Sequence, residues 1–246
     1  MLNQIFNEDC LEGMKRIPDG SIDCIITDPP YGTTACKWDS VIPFEPMWEQ
    51  LKRIIKPNGA IVLFGSEPFS SALRMSNIKQ YKYDWIWEKS HWTQFSLSKK
   101  RPLKYHEDIV VFYNSQPTYN PQMRKWKPNH SMGKIVWWEL NSETQANMVA
   151  YQSQQSDMKY PKTVIKFDNP RFKGQHPTQK PVALLEYLIR TYTNEWETVL
   201  DFTIGSWTTA IAAINTNRNY IGFEMDKWYF DIAQERITTH YGKIQS

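Results

Sequence analysis

Short apolar runs alternate along the chain with stretches whose apolar residues fall at helical spacing. Cys24-Ile25-Ile26, Ala60-Ile61-Val62-Leu63-Phe64 and Ile109-Val110-Val111-Phe112-Tyr113 have the length of buried strands, and residues 198–202 and 219–224 repeat that pattern. Residues 81–87, Tyr-Lys-Tyr-Asp-Trp-Ile-Trp, alternate as a strand does. Between these runs, Leu11, Met14 and Ile17 share one helical face, as do Met47, Trp48, Leu51, Ile54 and Ile55 after Pro46. Residues 67–77 offer Phe69, Ala72, Leu73 and Met75 for burial, and Pro181 opens a helix whose face is Val182, Leu185, Leu188, Ile189 and Tyr192. A short helix over 210–215 and a last one from Asp226, burying Trp228, Tyr229, Ile232, Ala233 and Ile237, complete the pattern. Strands alternating with helices predict an α/β fold: a Rossmann-like, mostly parallel sheet with helices on both faces.

The pattern fails over residues 114–174. A structureless loop of some 60 residues is foreign to a compact domain, so the stretch reads as an inserted recognition region. It divides the chain into 1–113, 114–174 and 175–246, the outer two being halves of one domain. Within it Tyr119, Trp126, Trp137 and Trp138 are interleaved with Arg124, Lys125, Lys127 and Lys134.

Two strand ends carry chemistry. The first is Thr27-Asp28-Pro29-Pro30-Tyr31-Gly32, where two prolines stop both helix and ladder directly after an apolar strand. This leaves an acid, a rigid backbone carbonyl and an aromatic ring together, a set able to hold a planar amine. The second is the strand ending at Asp201-Phe202, which runs through Thr203-Ile204-Gly205-Ser206-Trp207 into a helix beginning with Thr208 and Thr209. A strand, a small-residue turn and a helix bring backbone close to a nucleoside cofactor, and Glu224, about 20 residues on, is placed for its ribose. Asp9, just before the first helix, reads on its own as an ordinary helix-start charge.

Charge sharpens the picture. Residues 79–180 hold 17 Lys+Arg against 8 Asp+Glu, leaving 12 against 18 for the rest of a chain whose net charge is +3. A basic middle in an acidic frame is the footprint expected for a polyanion. Lys99, Lys100, Arg101 and Lys104 make a candidate phosphate-contacting loop. Aromatic residues form 14% of the chain at a mean hydropathy of -0.60, which suits a protein that stacks bases. Cys10, Cys24 and Cys36 show no paired spacing, and none of the five histidines forms a metal-binding pair. No metal site, signal peptide or membrane span is expected, and the protein is expected to be soluble and cytoplasmic.

Taken together, these motifs resemble one family: the β-class adenine-N6 or cytosine-N4 DNA methyltransferases, which use S-adenosylmethionine. The order of motifs, with the catalytic one first, recognition region next and cofactor turn last, matches over nearly the whole chain, as does His176-Pro177-Thr178-Gln179-Lys180-Pro181 before a helix. The resemblance implies that Asp28, Pro29, Pro30 and Tyr31 hold the target base, with Asp28 also bordering the cofactor. Asp9 and Cys10, in Asn7-Glu8-Asp9-Cys10, correspond to residues at the cofactor's adenine and Glu224 to its ribose. Asp201, Gly205, Ser206, Thr208 and Thr209 correspond to the turn near its methionine part, and Thr178 and Lys180 to residues closing over its carboxylate. It also implies double-stranded DNA as partner and a homodimer as a frequent assembly.

An acid at position 28, where cytosine-N4 enzymes often carry serine, points to adenine, with cytosine-N4 methylation as the alternative. Methyl transfer to RNA or to a protein amide is a further reading, although the basic insert has no evident use with a protein amide. One departure stands out: Trp207 occupies the place of the second glycine of a Gly-x-Gly turn. Either Trp207 packs away from the site, or cofactor binding is weakened and the chain is a DNA-binding protein with little activity.

Overall fold

The computed structural model describes residues 1–33, 39–93, 95, 98–125, 157–169, 179–205 and 207–244. Thr178, Ser206 and Lys127, together with Cys36, Trp126, Lys134, Trp137 and Trp138, lie outside the described residues.

In chain order the elements are β1 (Gln4–Phe6), α1 (Cys10–Met14), β2 (Ile22–Thr27), α2 (Phe44–Ile54), β3 (Ile55–Gly65), α3 (Phe69–Ser76), β4 (Tyr81–Thr93) and β5 (Lys104–Phe112). There follow β6 (Arg124–Lys125), β7 (Met158–Lys159), β8 (Val164–Phe167), α4 (Val182–Tyr192), β9 (Thr198–Asp201), α5 (Thr208–Asn215), β10 (Asn219–Phe223) and α6 (Lys227–Ile244). Eight strands form one sheet in the order β1-β10-β9-β2-β3-β5-β4-β8. Neighbours from β1 to β3 pair in parallel, β5 runs antiparallel to both β3 and β4, and β8 is parallel to β4.

Period two decides what each face buries. On β2 and β3, Cys24, Ile26, Ala60, Val62 and Phe64 face a core completed by Leu184, Leu188 and Tyr192 of α4, Ala210 of α5 and Ala233 of α6. Their alternates Ile25, Ile61 and Leu63 face a second core with Met14 of α1, Met47, Trp48 and Leu51 of α2, and Leu73 of α3. The sheet is thus covered on both sides, and continuous apolar runs were required where both faces are buried. The two halves of the chain meet where β2 pairs with β9, with Ile25 opposite Leu200, so Asp28 and Asp201 emerge at adjacent strand ends. Ligands in open α/β sheets bind at such a meeting point.

Several expectations need correction. Strand β3 begins at Ile55 and β5 at Lys104, earlier than the apolar runs, because ladder pairing continues into their polar ends. Met75 is 69% exposed and Ala72 is also exposed, since α3 turns Phe69, Ser70 and Leu73 inward and those two lie on its far side. Trp228 is 62% exposed, because α6 docks through Ala233 with Phe230 and Ile237 beside it. Within the stretch 114–174, β8 belongs to the main sheet, and residues 121–162 form a compact unit of their own that contains the paired strands β6 and β7. Among the described residues no helix is long and apolar enough to cross a membrane.

A buried hydroxyl fastens β4 to α4. Trp85 Nε1 donates to Tyr192 Oη at 2.6 Å, and Tyr83 Oη lies 2.8 Å from the same oxygen. Removing that oxygen leaves the indole N–H of a buried tryptophan without its acceptor. We expect Tyr192→Phe to lower unfolding free energy by about 1–3 kcal/mol in denaturant titration, against a change near zero if the hydroxyl is dispensable.

Candidate active site

A cavity of about 1040 Å³ opens at the carboxyl ends of β2 and β9, lined by Asp9, Cys10, Asp28, Tyr31, Gly205 and Glu224 among others. Its wall on the other side includes Lys89, Lys104, Glu107 and Lys180. β5 reaches this edge with its first residues because it runs antiparallel to β3.

The Pro29-Pro30 segment ends β2 and sets Tyr31 over the ring of Phe69, with centroids 5.1 Å apart and planes at 29°. Asp39 holds the turn that follows: its carboxylate accepts the backbone N–H of Tyr31 at 2.8 Å and those of Gly32 and Thr33 at 2.9 Å. Residues 32–39 have no regular period, so no sequence pattern singles Asp39 out. An acid a few residues beyond a Pro-Pro turn is a weak signal for such a role.

Asp28 sits inside a chain of charges. Tyr31 Oη donates to its Oδ1, and Lys180 Nζ donates to its Oδ2. Lys180 Nζ also lies 3.3 Å from Glu107 Oε2, and Lys89 Nζ donates to Glu107 Oε1. Burial pushes the Asp28 carboxyl up, Lys180 opposes that, and the net shift is upward. Burial acts the same way on Glu107, but Lys180 and Lys89 outweigh it and hold this carboxyl below its usual value. Burial alone would lower the Lys180 ammonium, yet Asp28 and Glu107 raise it, so it stays charged.

Lys180 therefore pairs with the acid of the first motif. Preceding Pro181 at the start of α4, it is delivered to Asp28 as the helix packs on the sheet. Lys89 and Glu107 were missed by the sequence reading. Period two could have found them: Lys89 shares a face with buried Trp85 and Trp87, and Glu107 with Ile109 and Val111.

The second motif builds the other end of the cavity. Asp201 is buried and used internally: its carboxylate accepts from Thr27 Oγ1, from Thr209 Oγ1 and from the backbone N–H of Thr203 at 3.2 Å. Burial raises this carboxyl to about 6. Glu224 accepts the N–H of Gly205 at 2.9 Å and of Asp226 at 2.8 Å, leaving lone pairs on both oxygens for a diol. Gly205 has φ +47, the left-handed region glycine tolerates. Thr208 and Thr209 are buried in the cavity wall at the start of α5. Asp9 caps α1, accepting the N–H groups of Leu11 at 2.8 Å and Glu12 at 3.3 Å, while remaining exposed at the cavity edge. Cys10 beside it is a thiol, pushed up to about 12 by burial and the Asp9 charge.

The candidate DNA-contacting residues separate. Lys99, Lys100 and Arg101 are exposed between β4 and β5. Lys104 instead turns into the cavity wall, where its Nζ donates to Ser66 Oγ. Arg124 and Lys125 form β6 in the 121–162 unit. Among the described residues no cluster of His, Cys, Asp and Glu could hold a metal ion.

A family model described as N6/N4 DNA methylase matches residues 22–235. The chain belongs to this DNA methylase family. The Type II methyltransferase M.HpaI of Haemophilus parainfluenzae is 27% identical, over 100% of this chain and 77% of its own length. M.HinfI of Haemophilus influenzae is 29% identical, over 96% of this chain and 68% of its own length. The M1.HpyAVI-SAM complex matches with a TM-score of 0.63 at 25% identity, covering 95% of this chain and 98% of that one. The cytosine-N4-specific PvuII DNA methyltransferase shares the fold, with a TM-score of 0.69 at 18% identity over 98% of this chain and 92% of that one. This DNA methylase is S-adenosylmethionine-dependent. A cavity with an acid at a glycine turn and a second acid at a helix start fits that cofactor.

Trp207 sits at φ 69, ψ 13, so it adopts the backbone conformation that glycine would supply. Its ring is 1% exposed and packs into the core shared with α4 and α6, away from the cavity. The Nε1–H has no hydrogen-bond partner among the described residues. Two effects oppose each other in Trp207→Gly. Relief of the left-handed backbone gains about 1–2 kcal/mol, whereas emptying a large aromatic site loses about 3–5 kcal/mol. We expect this variant to be less stable by about 1–4 kcal/mol in thermal unfolding. Calorimetric affinity for S-adenosylmethionine should change less than about threefold, under 1 kcal/mol; a large gain would mean that the ring obstructs the turn.

Proposed function

We propose that this DNA methyltransferase acts on the N6 amine of an adenine turned out of the duplex, with Asp28, Pro29, Pro30 and Tyr31 as the base-holding residues. The observation that carries the reading is Asp28 at the end of β2, inside the cavity, with Tyr31 beside it on a backbone fixed by two prolines. Turning a base out costs a few kcal/mol, of which stacking on Tyr31 returns about 1–3 kcal/mol. Phe69 braces the tyrosine ring from behind.

An exocyclic amine is a poor nucleophile because its lone pair is delocalised into the ring. Asp28 and the Pro29 carbonyl accept its two hydrogens and favour a pyramidal nitrogen, which frees the lone pair. S-adenosylmethionine supplies the methyl group: the new N–C bond forms as the S–C bond breaks, and that electron pair stays on sulfur. Asp28 stabilises the positive charge growing on nitrogen, and the surplus N–H proton leaves to it and then to water. Glu224, Gly205, Thr208, Thr209, Asp9 and Cys10 form the cofactor's end of the cavity, and Asp201 keeps the turn in shape through its threonine contacts.

For DNA, Lys99, Lys100 and Arg101 are assigned to backbone phosphates, and the 121–162 unit, with Arg124 and Lys125, to reading the target sequence. Cytosine-N4 methylation is the second reading, favoured only by the shared fold of a cytosine-N4 enzyme.

Transfer of tritiated methyl from S-adenosylmethionine to duplex DNA, followed by nucleoside separation, tests this directly. We expect label in N6-methyladenine; N4-methylcytosine would move the reaction to the other base, and no label with retained DNA binding would overturn it. Asp28→Ala is expected to lower the single-turnover rate about 10²–10³-fold while keeping cofactor affinity. Replacing Lys99, Lys100 and Arg101 by Ala should flatten the salt dependence of DNA binding by about 0.9 in log–log slope for each phosphate no longer neutralised. An unchanged slope would remove those residues from the interface.

A further inference from the structure

Each oxygen of Asp28 already accepts one hydrogen bond, from Tyr31 Oη and from Lys180 Nζ, so an incoming amine must share a carboxylate whose charge the lysine is already pairing. Lys180 has somewhere else to go. Glu107 Oε2 lies 3.3 Å from the same ammonium, close enough for ion pairing, yet it is buried and makes no hydrogen bond among the described residues. Lys89 holds the other oxygen of Glu107, which fixes the carboxylate in place. The ammonium stands 5.1 Å from the centre of the Phe64 ring, which supports it between the two acids.

We propose that Glu107 is a positioning residue for methyl transfer: it draws Lys180 off Asp28 when the target amine arrives, so Lys180 caps the acid in the free protein and releases it to the base. The proposal rests on the reading of Asp28 as the acid that accepts the amine. A shift of well under about 1 Å brings Lys180 to ordinary hydrogen-bond distance from Glu107. The ammonium thereby passes from one carboxylate to another and is never left buried without a partner. The exchange also turns the ammonium's shorter contact from Asp28 to Glu107, which loosens its hold on the acid that faces the nitrogen becoming positive during transfer. Asp28, Glu107, Lys89 and Lys180 carry two charges of each sign, so the exchange leaves the cluster neutral.

The test compares Glu107→Gln with the unaltered protein on a duplex carrying the site found by sequencing DNA methylated in cells. Without the Glu107 charge, Lys180 stays on Asp28. We expect the single-turnover rate to fall about tenfold or more while cofactor and DNA affinities stay within about threefold. A second readout needs no cofactor: affinity for the duplex with adenine at the target position against the same duplex with purine, which lacks the amine. The unaltered protein should prefer adenine, and Glu107→Gln should lose that preference. Adding Lys180→Met to Glu107→Gln removes the cap and should restore the preference for adenine, whereas a merely structural role of Glu107 gives losses that multiply. Glu107→Asp, which keeps the charge, should keep the preference and serves as the reference if Glu107→Gln folds poorly. Wild-type rate and preference in Glu107→Gln, loss of preference in Glu107→Asp, or multiplying losses in the double variant would overturn the exchange. Asp28→Asn separates the two layers. If it methylates at the wild-type rate, the reading of Asp28 fails; if it is inactive while Glu107→Gln is normal, only the exchange fails.

Discussion

A carboxylate at the end of a buried strand needs a counter-charge, and much of this molecule is arranged to bring one to Asp28. Its carboxyl is raised by burial, and Lys180 is the cation set against that shift. The lysine arrives on the residue before Pro181, so the packing of α4 on the sheet through Leu184, Leu188 and Tyr192 is what carries it there. A lysine buried with one acid would be a closed pair. The antiparallel β5 brings a second acid, Glu107, to the same edge, and β4 brings Lys89 to balance it. The result is a neutral group of four charges in which partners can be exchanged at low cost.

The cofactor end depends on a different constraint, backbone shape. Asp201 spends its carboxylate on Thr27, Thr203 and Thr209 and so ties the end of β2 to the start of α5. That leaves Glu224, braced by two backbone N–H groups, as the acid turned to the cavity. Trp207 shows that a position wanting a left-handed residue can be filled by a bulky one if its ring is compensated by core packing. Its ring lies in that core and does not line the cavity.

What could be read from the sequence was what repeats or punctuates it. Apolar runs and helical spacing gave the strands and helices of the sheet, because two-sided burial leaves little room for polar residues there. Asp28, Gly205 and Glu224 were legible because proline or glycine fixes the backbone near the first two, and a strand ends at the third. The Lys180–Asp28 pair was not, because it joins segments 152 positions apart and no local period records it. Lys104 was read with its basic neighbours, but β5 already includes it and turns it into the cavity. The outward faces of Met75 and Trp228 were misjudged because spacing gives a helix's periodicity and packing decides which side is covered.

A crystal structure with S-adenosylmethionine and a duplex bearing the target site is the most direct measurement. Amine capture by Asp28 requires an adenine out of the stack, its N6 within about 3 Å of an Asp28 oxygen, and Lys180 closer to Glu107 than to Asp28. A flipped base whose amine is held elsewhere, with Lys180 still on Asp28, would contradict it.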